Sequence, residues 1–133
     1  MIYIDTGPLL ARYLARDQHH REAVGAWSQL TTSPQQLFTS NLVIAEWITL
    51  LARRADAGFA AARARNLYAS PRLTILRPDS AEETAALAIL ERHAGEPASF
   101  TDCVSFVLMR RHRVRRAFTF DGHFEVAGFE KWP

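Results

Sequence analysis

The sequence predicts an α/β fold, a three-layer α/β/α sandwich around a central, mostly parallel sheet of about 4–5 strands. Three observations predict it. Strand-length apolar runs alternate with segments of helical period from one end of the chain to the other. Met1-Ile2-Tyr3-Ile4 reads as a buried strand and residues 101–112 as a helix apolar on most faces, as a sheet covered on both sides requires. The chain has 133 residues and no repeat, linker or low-complexity stretch, so residues 1–133 read as one domain able to bury roughly two-thirds of its unfolded surface.

After the first strand, Thr6-Gly7-Pro8 turns the chain, and Pro8 suits the first turn of a helix over residues 9–15. Ala23, Val24, Trp27 and Leu30 recur at helical spacing and mark a helix over 21–30. Leu37-Phe38-Thr39 is a short strand. Ser40 or Asn41 can cap a helix from Leu42 to about Asp56. Gly58 is expected to break it before a helix over 59–69. Residues 73–76 alternate like a strand and stop at Pro78. Ser80 and Glu83 form a capping-box pattern for a helix running to His93. A loop over 95–99 leads to the apolar helix. Residues 116–120 form a strand, 123–127 a helical turn and 128–132 a final edge strand.

Composition is that of an ordinary globular protein, 48% hydrophobic and 23% charged. The net charge is +2, with fifteen Arg against a single Lys, Lys131. Arg is the better bidentate phosphate ligand, and a GC-rich genome explains the bias equally well. The one cysteine, Cys103, excludes an internal disulfide, fits a reducing compartment and reads as a small core residue. The longest unbroken apolar run, residues 85–90, is far short of a membrane span, and no basic leader precedes the first strand. The expectation is a soluble, cytoplasmic protein.

Four carboxylates carry the functional reading. Asp5 follows the first strand, Glu46 lies one turn into the helix after Leu37-Phe38-Thr39, Asp102 opens the apolar helix, and Asp121 follows Ala117-Phe118-Thr119-Phe120. In a parallel sheet all of these positions fall on the rim formed by the strand C-termini, where ligands of such folds bind. Each acid has a plain alternative. Asp5 suits an Asx-turn, Asp121-Gly122 a type I′ hairpin turn, and Ser99 to Asp102 a capping box. Glu46 is hardest to explain away. Its helix neighbours Leu42, Val43, Thr49 and Leu50 offer no cation, and only Arg53 or Arg54 could reach it from two turns away. Gathered together in an apolar setting, the four would be costly to ionise, and a hard divalent cation, Mg²⁺ or Mn²⁺, relieves that cost.

The segments around these acids resemble the PIN domain, and more closely the VapC-type toxins of bacterial toxin–antitoxin pairs. They are Ile4-Asp5-Thr6-Gly7-Pro8-Leu9-Leu10, Thr39-Ser40-Asn41-Leu42-Val43-Ile44-Ala45-Glu46, Ser99-Phe100-Thr101-Asp102-Cys103-Val104-Ser105-Phe106 and Ala117-Phe118-Thr119-Phe120-Asp121-Gly122-His123-Phe124. The resemblance implies a metal-dependent endoribonuclease with Asp5, Glu46, Asp102 and Asp121 as its acidic residues. It implies hydroxyls near the metal at Thr6, Thr101 and Ser105, a homodimer, an RNA substrate, and silencing by a small VapB-like antitoxin. That partner's C-terminal segment lies in a groove and can push a basic side chain into the acidic pocket. Gly7 stands where many relatives have Ser.

An acidic pocket alone repels a phosphodiester, and a bound cation reverses the local sign and activates water. Asp5 and Asp102 are the expected principal ligands, with Asp121 a further one and Glu46 completing the shell or orienting the attacking water. Thr6 and Ser105 are expected to fix carboxylate rotamers. Arg12, Arg16, Arg53 and Arg54 lie on helices that follow rim residues and are the phosphate candidates; Arg63 and Arg65 are candidate antitoxin or substrate contacts. The basic stretch from Arg110 to Arg116 lies at the opposite end of the sheet, where it suits a helix C-terminus. Trp27, Trp47, Leu50 and Leu51 read as core before partner groove. The five histidines lack metal-ligand spacing; His19-His20 reads as a surface pair, and His123 sits near enough to Asp121 to support it. Two other readings remain open: a nuclease of this fold acting on DNA or in RNA processing without an antitoxin, and a non-catalytic binding module.

Overall fold

The computed structural model describes residues 1–92, 95 and 98–133. Five strands form one sheet: β1 (Ile2–Ile4), β2 (Leu37–Ser40), β3 (Leu73–Leu76), β4 (Arg116–Phe118) and β5 (Glu130–Trp132). Their order is β3-β2-β1-β4-β5, and every pairing is parallel. Seven helices connect them among the described residues: α1 (Thr6–Ala11), α2 (His20–Thr32), α3 (Asn41–Arg54), α4 (Ala57–Tyr68), α5 (Ser80–Arg92), α6 (Phe100–Arg111) and α7 (His123–Val126).

The strand order decides where a ligand can sit. From β1 the chain winds outward through β2 to β3, then returns across the sheet to place β4 on the other side of β1. Right-handed crossovers in opposite directions put their helices on opposite faces. Accordingly α1 packs on α2 and α3 and α3 on α4, while α5 packs on α6 and α6 on α7. The reversal opens a crevice beyond the C-terminal ends of β1 and β4, the topological switch point of the sheet.

The core is built from fully buried side chains of every layer, with Tyr3, Trp47, Phe106, Phe118 and Phe124 the largest. Trp47 and Leu51 belong to it, Cys103 is wholly buried in it, and Trp27 and Leu50 pack half-buried against it. Among the described residues no helix is long and apolar enough to cross a membrane.

Helix starts follow capping chemistry, and this corrects several expected boundaries. The Ser40 hydroxyl accepts from Val43 N at 3.1 Å and starts α3. α3 ends at Arg54, because the Asp56 carboxylate accepts from Phe59 N at 2.8 Å and starts α4 at Ala57. Gly58 therefore lies inside α4 rather than before it, since a cap supplied by the preceding Asp outweighs the weak helix propensity of one Gly. α5 is capped one residue earlier than expected. Asp79 Oδ1 accepts from Glu82 N at 2.8 Å and Glu82 Oε1 accepts from Asp79 N at 3.0 Å, so Asp79/Glu82 is the capping box and not Ser80/Glu83. The expected end of that helix at His93 lies outside the described residues, as does part of the 95–99 loop.

The first helix also differs. It begins at Thr6, directly after β1, and stops at Ala11, so Pro8 falls in its first turn and residues 12–19 form turns instead of a second helical half. β4 ends at Phe118, two residues before the expected Phe120. The hairpin alternative at Asp121-Gly122 is excluded, because β4 and β5 are parallel and Gly122 has φ −64°.

Candidate active site

Asp5 is the first residue beyond the ladder: its N–H donates to Phe118 O at 3.0 Å, closing the β1–β4 pairing. It occupies the residue before α1, the usual place for a capping side chain, yet its carboxylate makes no cap hydrogen bond. Its Oδ2 instead accepts from the Thr119 hydroxyl at 2.8 Å. Thr119 Oγ1 in turn accepts from Asp121 N at 2.9 Å. One buried hydroxyl thus ties the end of β1 to the segment carrying Asp121. Thr119 was not singled out from the sequence, although a hydroxyl inside an otherwise apolar strand must find a partner when buried.

The other acids arrive from helix starts and a turn. Asp102 is 9% exposed and closes the capping box of α6: Ser99 Oγ accepts from Asp102 N at 3.1 Å, and Asp102 Oδ2 accepts from Ser99 N at 3.2 Å. The capping alternative for Asp102 is therefore real and coexists with its place in the site. Asp121 Oδ1 accepts from His123 N at 2.9 Å and lies 2.6 Å from His123 Nδ1. Glu46, half-buried in the second turn of α3, accepts on Oε2 from the Thr6 hydroxyl at 2.8 Å. Asp5, Thr6, Gly7, Glu46, Asp102, Phe120 and Asp121 line one cleft of ≈ 260 Å³ at the switch point.

Within the cleft the charges oppose one another. Burial, and then the charge of Asp102, pushes the Asp5 carboxyl up to about 7. Burial, and then the charge of Asp121, pushes Asp102 up to about 6. Among the described residues the ion pairs are His19–Glu22 and His123–Asp121, so no guanidinium comes within ion-pair distance of any of the four acids. The hydroxyls of Thr6, Thr119 and Ser99 and the backbone N–H groups orient these carboxylates without neutralising them.

The remaining sequence candidates fall around the cleft. Thr101 and Arg53 border a neighbouring hollow that shares Glu46 with the acid cleft. Ser105 is buried and points elsewhere: its hydroxyl donates to Thr101 O at 2.9 Å and lies 2.8 Å from the Tyr3 hydroxyl. It steadies the α6–β1 packing and does not hold a carboxylate. The Arg12 guanidinium stacks over Trp27 at 4.6 Å and Tyr13 at 5.2 Å. Arg16 and Arg54 share a shallow hollow with Tyr13 and Leu14. His123 comes closer to the acids than its sequence position indicated. Asp102, Asp121 and His123 each offer one donor atom, and these lie within 4.8 Å of one another.

The donor set fits a divalent cation. Oxygen donors dominate, burial and mutual repulsion raise the protonation of two of the acids, and among the described residues no arginine or lysine pairs with them. Asp102 and Asp121 would be direct ligands, with Asp5 across the cleft. If Nδ1 carries its hydrogen, His123 donates to Asp121 and fixes its orientation, the usual outer support of a ligating group.

Comparison with known proteins agrees with this geometry. The chain is 37% identical over 130 residues to the 23S rRNA-specific endonuclease VapC20 of Mycobacterium tuberculosis, a match covering 97% of this chain and 95% of the relative. The crystal structure of that protein, described as a Sarcin-Ricin loop cleaving toxin, superposes with a TM-score of 0.87 at 33% identity, over 97% of this chain and 96% of the other. A toxin–antitoxin complex from Klebsiella pneumoniae shares the fold, with a TM-score of 0.67 at 15% identity over 100% of this chain and 97% of the other. The PIN domain profile matches residues 2–130. With its parallel sheet and the acids of its switch point in place, the chain belongs to the PIN domain family.

Proposed function

We propose that this protein is a metal-dependent endoribonuclease toxin that hydrolyses RNA phosphodiester bonds and is held in check by a small antitoxin. One observation carries the reading: Asp5, Glu46, Asp102 and Asp121 line a single cleft, and among the described residues no arginine or lysine comes within ion-pair distance of them. A purely structural cluster of this kind would be expected to recruit an arginine, and the chain has fifteen to spend. The likeness to VapC20, named as an rRNA endonuclease, supports an RNA substrate and makes ribosomal RNA the first to test.

Asp102, Asp121 and Asp5 hold the ion in this reading, Mg²⁺ or Mn²⁺. When bound, it supplies charge neutralisation at the phosphoryl oxygen and a more acidic water. Glu46 receives Thr6 on Oε2, which leaves Oε1 free to orient the attacking water and take its proton. Water attack in line with the 3′ oxygen forms the new P–O bond as the P–O3′ bond breaks. The 3′ oxygen leaves with a proton, giving 5′-phosphate and 3′-hydroxyl ends. The same anionic cleft suits a basic side chain from the antitoxin, which would compete with the ion for these oxygens.

The test uses purified chain with total RNA and intact ribosomes in Mn²⁺, Mg²⁺ or EDTA, with new 5′ ends mapped by sequencing and D102N as control. Discrete cuts that need the ion and vanish in the variant are expected. Uncut RNA in every lane, from folded protein free of antitoxin, would overturn the reading.

A further inference from the structure

The lip of the acid cleft carries a feature that metal chemistry does not use. Phe120, one residue before Asp121, lines the cleft and is half-buried. The imidazole of His19 lies flat on it, with ring centroids 4.2 Å apart and planes 11° from parallel. His19 belongs to the turns between α1 and α2, far from Phe120 in sequence. Its backbone N–H donates to Asp17 Oδ1 at 2.8 Å, and its carbonyl accepts from Ala23 N at 2.8 Å, so the turn and the helix start both hold it. Phe120 is anchored from below: it meets buried Phe118 edge-on at 6.0 Å, and Phe118 packs on Trp27 and Trp132. Gly7 lies against the ring, where a Cβ would meet Phe120 Cδ2 at 3.4 Å, an ordinary packing distance.

Phe118 supports the stack from below, and the His19 ring stays partly in solvent. The His19 side chain is 36% exposed and makes no hydrogen bond among the described residues, with Glu22 at 3.7 Å its ion-pair neighbour. A planar, partly exposed ring beside a cleft that takes a phosphodiester matches how proteins hold single-stranded RNA: unpaired bases stack on aromatic or histidine rings. We propose that His19, backed by Phe120, is a stacking platform for the nucleobase adjoining the scissile phosphate. This rests on the ribonuclease reading above and adds a subsite that grips a base where the acids grip the ion.

The test measures kcat and KM in Mn²⁺ on an oligoribonucleotide spanning the mapped cut, for wild type, His19→Ala and His19→Phe. A partly exposed position tolerates both changes. His19→Ala is expected to raise KM about 10-fold, in line with the strength of base–aromatic stacking, with Mn²⁺ affinity unchanged. His19→Phe keeps a planar ring and restores KM. Removing single bases from the substrate sharpens the assignment. An abasic site at one flanking position should cost the wild type about 10-fold and His19→Ala nothing further. A wild-type KM in His19→Ala, a His19→Phe as poor as His19→Ala, or equal abasic penalties in both proteins would each overturn the platform and leave the ribonuclease intact. A wild type that cuts no RNA would remove both.

Discussion

The two ends of the sheet use charge in opposite ways. At the C-terminal rim, Asp5, Glu46 and Asp102 are oriented by neutral donors, the hydroxyls of Thr6 and Thr119 and the Ser99 N–H, with no guanidinium or ammonium paired to them among the described residues. At the other end, guanidiniums are spent on oxygens of the fold itself. Arg72 donates to the carbonyls of Leu30, Ser33 and Gln35 at 2.7 to 3.0 Å, Arg116 to Gln35 Oε1 at 2.9 Å and Arg110 to Ala127 O at 2.9 Å. Hydrogen bonding alone stabilises either end locally. At the rim it also leaves like charges close enough to repel one another, which something outside the chain can relieve. Function follows the clustered charge, whereas Arg110 and Arg116 of the basic stretch hydrogen-bond to the fold itself.

Mutations separate the two ends. The largest expected effect is at the rim: Asp102→Asn retains the fold, because an amide oxygen can still accept from Ser99 N, and lowers cleavage by more than about 100-fold. A near-normal rate with a native circular dichroism spectrum would refute the assignment. Thr119→Val keeps shape but frees Asp5 and the Asp121 segment from their shared hydroxyl. It should weaken Mn²⁺ binding about 10-fold or more, as loss of such outer support does, read by titration calorimetry.

A pH series tests the clustered charge directly. Asp5 and Asp102 have folded-state values of about 7 and about 6, above their unfolded values near 3.8, so the folded protein binds more protons than the unfolded one between these limits. Metal-free stability should therefore fall as pH rises from about 4 to about 7 and level off above it. Added Mn²⁺ should restore the thermal midpoint most strongly at the high end of that range. A metal-free midpoint that rises across this window would show that the acids are compensated after all.

At the other end of the sheet the signs differ. Arg72→Ala removes three carbonyl contacts and should cost about 2–3 kcal/mol in denaturant unfolding, with Mn²⁺ affinity unchanged. Smallest of all, Arg110→Ala, at an exposed contact, should alter stability by less than about 1 kcal/mol and leave the rate of RNA cleavage within two-fold or so. A large loss of RNA affinity in that variant would reassign the stretch to substrate binding.

The gathering of the acids on one rim was legible because strand–helix alternation fixes which ends of a parallel sheet carry which loops. What lay between the acids was not. The Thr119 bridge joins positions 5, 119 and 121, and its signal, one hydroxyl in an apolar run, names no partner. The support that His123 gives Asp121, two residues away, was legible, but its approach to Asp102, which only the fold brings near, was not. Ser105 shows the converse. Spacing puts it on the helix face of Asp102, but the longer reach of Tyr3 claims its hydroxyl. Helix starts at Ala57 and Ser80 were misread for a local reason. Several residues in each stretch could cap, and only packing selects Asp56 and Asp79.

The pairing of β1 with β4 has a consequence for how the protein is made. Asp5 and Thr119, which orients it, stand 114 residues apart in the sequence, with Asp121 just beyond Thr119. Such distant parallel pairing is slow to form and must wait until both segments have been made. A growing polypeptide therefore carries no complete cleft, and an incomplete one should cut nothing while it is still attached to the ribosome that makes it.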